Sequence, residues 1–338
     1  MKIKKEALTK ALTLVKPGLA NKEIIEQSTS FVFTKGSVRT FNDEISISHP
    51  VKDLDLEGAV NADEFYRFIS KVKRDEIEIE LKENQLYFTA ARTKAGLTLQ
   101  EEITLPLESI GKKGNWKHLP DDFSYYLSLA IGACSNDMSR PILTCVNITQ
   151  EGKIIGSDSY CLMTCEIGEK IPIDDFLLPA SSALEVLKIQ PTQIAEGDGW
   201  VHFRNKDKTE ISCRTFEDSY PDTSAYETVE GVELTFPKSM LQKLELARVF
   251  AKRDHILDEE VIITVRNNRM TIKAKSETGW IEDEANMRYD DDPVRFSITP
   301  YLLEDILKGT HDFVLSENAA MFSGAGWKYI TMLRILQE

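Results

Sequence analysis

Cysteine and histidine are the residues of this chain best suited to metal binding or nucleophilic chemistry, but their spacing favours neither. Of the five cysteines, Cys161 and Cys165 stand four residues apart in an apolar stretch, where core packing is favoured over a metal or redox role. The five histidines are scattered, and none stands at metal-ligand spacing from another or from a cysteine. An odd cysteine count without Cys-x-x-Cys pairs is typical of reduced, packed thiols in a cytosolic protein.

The acidic and glycine-containing segments also fail to match a catalytic pattern. Asp290-Asp291-Asp292 lacks the alternating ligand spacing of a cation site, so an exposed acidic turn is favoured. Gly324-Ala325-Gly326 lacks the third glycine and the following helix of a dinucleotide motif, and no phosphate-binding Gly-x-x-x-x-Gly-Lys loop occurs. No spacing singles out two carboxylates as an acid and a base. We therefore expect a protein that is not an enzyme and uses no metal or cofactor; a hydrolase or transferase with an unrecognised site is the alternative.

Positive charge is concentrated on three segments of an acidic chain. The 338 residues carry a net charge of −14, yet residues 2–16, 64–74 and 237–253 carry +4, +3 and +4. A solvated helix face explains any one segment, but three in repeat-equivalent places favour a surface that meets nucleic-acid phosphates. The cations that we expect on this surface are Lys5, Lys10, Arg67, Lys71, Lys73, Arg74, Lys238, Lys243, Lys252 and Arg253.

The basic segments belong to a pattern that occurs three times. In each copy an apolar stretch leads into an amphipathic helix, expected within residues 2–16, 121–137 and 237–253. A second helix is expected to open at Val60-Asn61-Ala62, Leu178-Pro179-Ala180 and Ile298-Thr299-Pro300, at offsets of 118 and 120 residues. This period is the size of a small domain. It predicts three domains, at residues 1–113, 114–230 and 231–338.

Strands and tight turns are predicted between the helices, so the chain is expected to be of the α+β class. Val261–Val265 and Met270–Ile272 flank Asn267-Asn268 and predict a hairpin. No apolar run approaches the roughly 18 residues of a membrane span. Lys10 and Lys16 interrupt the N-terminal apolar stretch, which argues against a signal peptide. A cytoplasmic location without a membrane partner is therefore expected.

The middle of the chain resembles a known family. It reads Ser139-Arg140-Pro141-Ile142-Leu143, then Asp158-Ser159-Tyr160-Cys161-Leu162, then Leu178-Pro179-Ala180, and closes with Tyr220-Pro221-Asp222. These motifs are similar, in the same order, to those of the bacterial DNA polymerase III beta subunits, the sliding clamps. The C-terminal Tyr329–Ile335 segment resembles the closing segment of that family. The resemblance spans the whole chain and is most specific in its middle third.

The resemblance implies three repeated DNA-clamp domains, each with two inner helices packed on antiparallel sheets, that form half of a closed ring. Two protomers would join head-to-tail as a homodimer around double-stranded DNA without reading its sequence. The first and third domains would meet, with Leu97-Thr98-Leu99-Gln100 as a candidate edge strand in the first and residues near Phe250 as a candidate patch in the third; a core strand would explain Leu97 and Leu99 equally well. The protein would tether the replicative DNA polymerase and serve a clamp loader and other clamp-binding peptides. A clamp-fold scaffold that binds replication factors without encircling DNA is the alternative.

The resemblance also implies a pocket for partner peptides. Carried over residue by residue, it would use Leu143, Ser157, Asp158, Ser159, Tyr160, Leu162, Pro221, Tyr301, Met332 and Arg334. The chain departs from the family here: Ser159 and Cys161 stand in place of its Gly and Arg, and Met332 stands near its C-terminal Pro. These departures predict altered peptide preference and fit a divergent member; a phage origin would account for them.

Overall fold

The protein is described from a computed structural model, which covers residues 1–34, 36–110, 113–253, 259–290 and 292–335, without the side chains of Leu302, Arg334 and Ile335. The α-helices are α1 (Lys5–Val15), α2 (Ala62–Lys71), α3 (Phe123–Ala133), α4 (Ala180–Ile189), α5 (Met240–Ala251) and α6 (Pro300–Leu307). Each of the three repeats therefore has its predicted pair of helices, and the second of each pair opens at the predicted motif. None of the described helices is long and apolar enough to cross a membrane.

Strands fill the intervals between these helices. The first are β1 (Lys2–Lys4), β2 (Ser30–Thr34), β3 (Ser37–Phe41), β4 (Ile45–Pro50), β5 (Gly58–Asn61), β6 (Glu76–Lys82), β7 (Gln85–Ala90), β8 (Thr93–Thr98) and β9 (Lys117–His118). There follow β10 (Cys145–Ile148), β11 (Lys153–Ser157), β12 (Cys161–Glu166), β13 (Phe176–Pro179), β14 (Gln193–Gly197), β15 (Trp200–Arg204) and β16 (Glu210–Arg214). The last are β17 (Val232–Thr235), β18 (Val261–Arg266), β19 (Arg269–Lys275), β20 (Trp280–Asn286), β21 (Val294–Ile298), β22 (Asp312–Leu315), β23 (Ala319–Gly324), β24 (Trp327–Met332) and β25 (Arg334–Ile335).

The chain divides into two compact units. The first comprises Met1–Ser124 with Lys170–Glu217, and the second comprises Tyr125–Glu169 with Asp218–Glu338. Within the first unit, one sheet has the strand order β5-β2-β3-β4-β16-β15-β14-β9, and another has the order β1-β6-β7-β8. Within the second unit, seven strands follow the order β10-β11-β12-β24-β23-β22-β17, and a separate sheet has the order β20-β19-β18-β21-β25. The α+β class and the antiparallel sheets are confirmed, whereas the three domain boundaries stay a prediction.

The helices form where the sequence places an apolar stripe at helical spacing. Asn61 precedes α2, and its side-chain oxygen accepts the Glu64 N–H at 3.2 Å, which satisfies a backbone donor of the first turn. The acidic first turn of α2 also complements the helix dipole. The buried faces of α1 and α5 consist of Leu8, Ala11, Leu12 and Val15, and of Met240, Leu244, Ala247 and Ala251. The opposite face of α1 carries Glu6, Lys10 and Thr13, whereas that of α5 carries exposed Leu246 and Val249 beside Gln242 and Glu245.

Aromatic residues form the centre of each unit. In the first unit Phe65 of α2 contacts the rings of Phe33 and Phe88, with centroids 5.7 and 5.4 Å away. In the second unit Phe313 stacks on Phe236, with centroids 4.3 Å apart. The predicted hairpin of β18 and β19 is confirmed. Both residues of its Asn-Asn turn have positive φ, of 50° and 59°, as a two-residue hairpin turn requires.

Candidate nucleic-acid interface and partner pocket

The cations of the first unit lie on the solvent side of α1 and α2 and just beyond the end of α2. Lys71, Lys73 and Arg74 are exposed and have no ion pair among the described residues. Lys10 Nζ lies 3.0 Å from Asp207 Oδ2, and Arg67 Nε lies 3.0 Å from Asp63 Oδ1. Pairs this exposed contribute little, so phosphates can compete for Lys10 and Arg67.

Lys5 has a structural role within the first unit. Its Nζ donates to the Ser70 carbonyl at 3.3 Å and to the Val72 carbonyl at 2.5 Å. These carbonyls end α2, where a cation is favoured by the helix dipole. Lys5 is half-buried there, so it meets a phosphate less readily than the exposed cations do.

In the second unit the four predicted cations fall into two groups. Lys238 and Lys252 are exposed at the two ends of α5. Lys243 Nζ lies 2.7 Å from Asp283 Oδ1 of β20, and its side chain is only 15% exposed. Arg253 donates to the carbonyls of Phe250, Ala251, Lys252 and Lys275, at distances from 3.3 down to 2.6 Å. Lys243 and Arg253 are thus engaged within their unit.

Three exposed cations outside the predicted set lie near α1. Lys206 and Lys208 flank Asp207, which pairs with Lys10. Lys4 lines an open groove of about 1200 Å³ together with Lys5, Lys10 and Arg74, and with acidic Glu6, Asp75 and Glu76. The sequence carries no signal for Lys206 and Lys208, because they occupy an ordinary turn between β15 and β16. Lys4 lies in the basic segment 2–16, but it precedes α1 and so was not among the predicted cations.

The predicted pocket of the second unit is built around the turn between β11 and β12. Asp158 is buried, and its Oδ1 accepts the N–H groups of Tyr160 and Cys161, each at 2.8 Å. Ser159 adopts φ +81°, a left-handed conformation that favours glycine. Its hydroxyl accepts a hydrogen bond from Arg140 Nη1 at 2.8 Å. A fixed polar turn therefore borders the pocket.

The floor of the pocket is apolar. Leu162 of β12 and Ile330 of β24 are register partners, and Ile330 is in turn opposite Met321 of β23. Leu162 and Ile330 form one buried cluster with Ile155 and Ala319. Tyr220, Val229 and Met321 pack against this cluster. Apolar side chains on four adjacent strands, β11, β12, β24 and β23, give a floor suited to apolar anchors of a ligand.

Two exposed apolar side chains stand at the edge of this floor. The Met332 N–H donates to the Tyr160 carbonyl at 2.8 Å, which holds the two residues together. Met332 is 48% exposed and Tyr160 66% exposed. Tyr301 of α6 is half-buried nearby. Burial, and then the neighbouring Cys161 and Asp158, raise the pKa of its phenol above the usual range.

The pocket thiols are unreactive in this setting. Burial raises the pKa of Cys134 to about 12 and that of Cys145 to about 11, and raises the pKa of Cys161 well above its usual value. All three are therefore protonated at neutral pH, so they behave as small apolar groups. Among the described residues there is no group of three or more His, Cys, Asp or Glu that could hold a metal ion.

The structure brings most of the predicted pocket residues together. Ser157, Asp158, Ser159, Tyr160, Leu162, Tyr301 and Met332 converge on the β11–β12 turn. Leu143 is half-buried in the short turn before β10, and Pro221 is exposed beside Tyr220. The backbone of Arg334 pairs with Ser297, and its side chain lies outside the described residues. Sequence reasoning missed the roles of Arg140, Ile155, Tyr220, Val229 and Ile330, although Arg140 lies within the motif that carries the resemblance.

Comparison with known proteins finds matches among solved structures. No family model matches the chain, and no curated protein matches its sequence. Solved structures of bacterial DNA polymerase III beta subunits match it over nearly their full length. The clamp of Bartonella birtlesii bound to griselimycin has a TM-score of 0.85 at 15% identity, covering 100% of this chain and 99% of that one. The Pseudomonas aeruginosa clamp bound to griselimycin has a TM-score of 0.83 at 17% identity, covering 99% of each chain.

The third structure is a DNA polymerase III beta chain from Streptococcus pneumoniae. Its TM-score is 0.82 at 18% identity, covering 100% of this chain and 99% of that chain. At this low sequence identity the structural matches show the fold alone. They leave almost no part of either chain uncovered. The chain therefore has the fold of the bacterial DNA polymerase III beta subunits, as the resemblance of its motifs predicted.

Proposed function

We propose that this protein is a DNA sliding clamp, a processivity factor that encircles double-stranded DNA and tethers the replicative polymerase. The observation that carries the proposal is the full-length match in fold to bacterial clamps, in a chain whose exposed helix cations stand out from an acidic background. The protein itself catalyses no reaction in this proposal. A clamp loader would place it on DNA, and other clamp-binding peptides would compete for its pocket.

Its DNA contacts are expected to be weak, salt-sensitive and indifferent to sequence. Lys71, Lys73, Arg74, Lys238 and Lys252 are exposed ammonium or guanidinium groups on or beside helices. Such groups contact phosphate oxygens, which carry no base identity. Retention on DNA would then come from topology, because a closed ring leaves a circle only when the circle or the ring is opened.

The experiment that tests encirclement is retention on circular and linearised DNA. The protein is loaded on a nicked plasmid with a clamp loader, and free protein is removed by gel filtration. Cutting the plasmid once should release the clamp, while blocking both ends with a bound protein should retain it. Equal retention before and after cutting, with open ends, would overturn encirclement.

A homodimer is part of the proposal, and two sheet edges support it. In the first unit β8 lies at the end of its sheet, and in the second unit β20 does. An unpaired edge offers backbone groups to another strand. Part of the predicted edge is already used: Leu99 is buried, and Gln100 pairs with Ala59 within the first unit. The edge available for a partner is therefore β8 itself, Thr93–Thr98.

The pocket supports tethering by short peptides. Its floor is apolar, its rim holds exposed Tyr160 and Met332, and the Asp158 turn fixes polar groups beside it. A flexible tail with two or three apolar anchors could bury them there at little conformational cost to the clamp. Because the pocket presents Cys161 as a buried neutral thiol in place of the family's Arg, we expect weaker selection of acidic or polar peptide groups.

One observation favours the alternative, a scaffold that does not encircle DNA. Lys5, Lys243 and Arg253 are engaged within their own units, so three of the ten predicted cations are poorly placed to meet phosphates. A scaffold would still bind partner peptides but would show the same weak affinity for circular and linear DNA. The retention experiment separates the two proposals.

A further inference from the structure

The first unit contains a structural counterpart of the partner pocket. The order β2-β3-β4-β16-β15-β14 repeats the order β10-β11-β12-β24-β23-β22. The turns match as well. Asn42 Oδ1 accepts the N–H groups of Glu44 and Ile45 at 3.1 and 2.9 Å, as Asp158 does for Tyr160 and Cys161. The strands of the first unit can therefore be aligned with those of the second unit residue by residue.

Asp43 and Arg214 extend the match to the rim. Asp43 has φ +75°, close to the +81° of its counterpart Ser159. The Arg214 N–H donates to the Glu44 carbonyl at 2.9 Å, as the Met332 N–H does to the Tyr160 carbonyl. The exposed apolar rim of the second unit is thus replaced by a charged rim in the first.

The apolar floor of the second unit has a polar counterpart in the first unit. Phe41 is opposite Ser46 and Arg39 opposite Ser48, just as Ser157 is opposite Leu162 and Ile155 opposite Thr164. Ser46 is in turn opposite Ser212, as Leu162 is opposite Ile330. Three apolar floor residues of the second unit, Ile155, Leu162 and Ile330, therefore correspond to Arg39, Ser46 and Ser212.

A cavity of about 150 Å³ occupies this polar floor. It is lined by Arg39, Ser46, Ser48, Lys113, Glu210 and Ser212, and by the apolar side chains of Leu107 and Ile110. A water molecule takes up roughly 30 Å³ of liquid, so the cavity has room for a few waters or for one small ion. Its mostly polar lining does not suit the apolar anchors of a peptide. Its contents must be small and polar.

The charges around the cavity favour an anion. Arg39 Nε is buried and has no hydrogen-bond partner among the described residues, and Arg39 forms no described ion pair. The one acid in the lining, Glu210, is already paired with Lys113 and lies 3.7 Å from Arg204. A buried donor without a partner is costly, and a guanidinium meets planar or tetrahedral oxyanions with directed hydrogen bonds.

We propose that this cavity of the first unit binds one small oxyanion, phosphate or carboxylate, through the Arg39 guanidinium. Ser48 lines the same cavity and is opposite Arg39 in the strand register, and its hydroxyl has no partner among the described residues, so it is available to donate a second hydrogen bond. Lys113, which pairs with Glu210, also lines the cavity. The site is independent of the proposed clamp function, because its ligand is a free ion and none of its lining residues belongs to the predicted DNA-binding set.

The test is calorimetric titration of the full-length protein with inorganic phosphate and, separately, with acetate, at constant ionic strength set by chloride. We expect saturable binding of one ion per chain. Arg39→Gln should weaken it by roughly tenfold or more, since a hydrogen bond to a charged group is lost. Lys82→Gln, which removes an exposed cation elsewhere in the same unit, should leave binding unchanged.

The two titrants distinguish the ligand source, since stronger phosphate binding assigns a phosphate and stronger acetate binding a carboxylate. Ser48→Ala provides a mild second variant if Arg39→Gln does not fold, and it should weaken binding severalfold. Absence of saturable binding of either ion, or equal binding by wild type and the cavity variants, would overturn the proposal.

Discussion

Ser159 has the left-handed backbone conformation that glycine adopts without strain. Its φ of +81° strains any residue with a Cβ, and its hydroxyl accepts a hydrogen bond from Arg140. Ser159→Ala keeps the strain and loses the hydrogen bond, whereas Ser159→Gly loses both. We expect the glycine variant to have a free energy of unfolding about 1 kcal/mol higher than that of the alanine variant.

Urea denaturation followed by circular dichroism measures this difference. The matched control is Ser219→Gly against Ser219→Ala, at an exposed position without positive φ, where glycine gains nothing. If Ser159→Ala proved as stable as Ser159→Gly, the turn would have to relax when the residue changes, and the strain argument would be wrong.

At the scale of the element, the end of α2 carries a group of cations without ion pairs among the described residues. Lys71, Lys73 and Arg74 are three exposed charges within four residues at and beyond its last turn. Replacing all three by Gln should weaken DNA binding equally for all sequences. The slope of log affinity against log salt should fall by roughly 2 to 3, since each phosphate contact contributes about 0.9.

A variant that removes the same charge elsewhere controls for net charge. Lys82, Lys273 and Lys308 are exposed and pair with Glu80, Glu282 and Asp305. Changing these three to Gln should leave the salt slope close to that of the wild type. Fluorescence anisotropy with a labelled duplex at several salt concentrations measures both variants. Equal loss in the two would mean that net charge, and not the α2 surface, sets DNA affinity.

The pocket rim permits a test without disturbing the core. Met332 is about half exposed, so Met332→Asp should leave the fold intact while placing a charge beside apolar ligand anchors. We expect roughly tenfold weaker binding of a fluorescent Gln-Leu-x-Leu-Phe peptide, because the burial of one apolar side chain is lost. Val232→Asp, at another exposed apolar position of the second unit, should bind the peptide like wild type. Equal affinity for Met332→Asp and wild type would place the peptide elsewhere.

Elements were more predictable from sequence than contacts between distant residues. The second helices begin where the repeat placed them, because Ala62, Ala180 and Pro300 each open an apolar stripe after a strand. The edge predicted at Leu97–Gln100 was wrong in its second half. Gln100 pairs with Ala59, a partner 41 residues earlier that no local pattern reveals.

The candidate site shows the same limit. The pattern of charge predicted which helices carry cations but could not show which cations are engaged. Lys243 pairs with Asp283, and Arg253 binds the Lys275 carbonyl, both through strands that follow α5 in sequence. The polar turn of the pocket was predictable by resemblance. Of its apolar floor only Leu162 was predicted, since Ile155 and Ile330 join it only through the pairing of three strands.

For the whole molecule, the testable quantity is its mass in solution. A clamp of the proposed kind should have twice the 38.3 kDa mass of the chain at micromolar concentration. Trp280 begins the edge strand β20 and Val249 lies on α5, and each is 69% exposed. An exposed Trp280 at a sheet edge, and an exposed Val249 on the helix that packs against that strand, are expected to be covered by a partner.

Multi-angle light scattering of Val249→Asp and Trp280→Asp should therefore detect single chains where the wild type forms dimers. Both side chains are already exposed in the single chain, so neither change should lower its thermal stability by more than about 0.5 kcal/mol. Tyr226→Asp, at another exposed aromatic residue of the second unit, should stay dimeric. A single-chain mass for the wild type would exclude the closed dimeric ring. A dimer unaffected by both edge variants would instead show that the protomers join through another surface, because a buried carboxylate at the interface could not be tolerated without a partner.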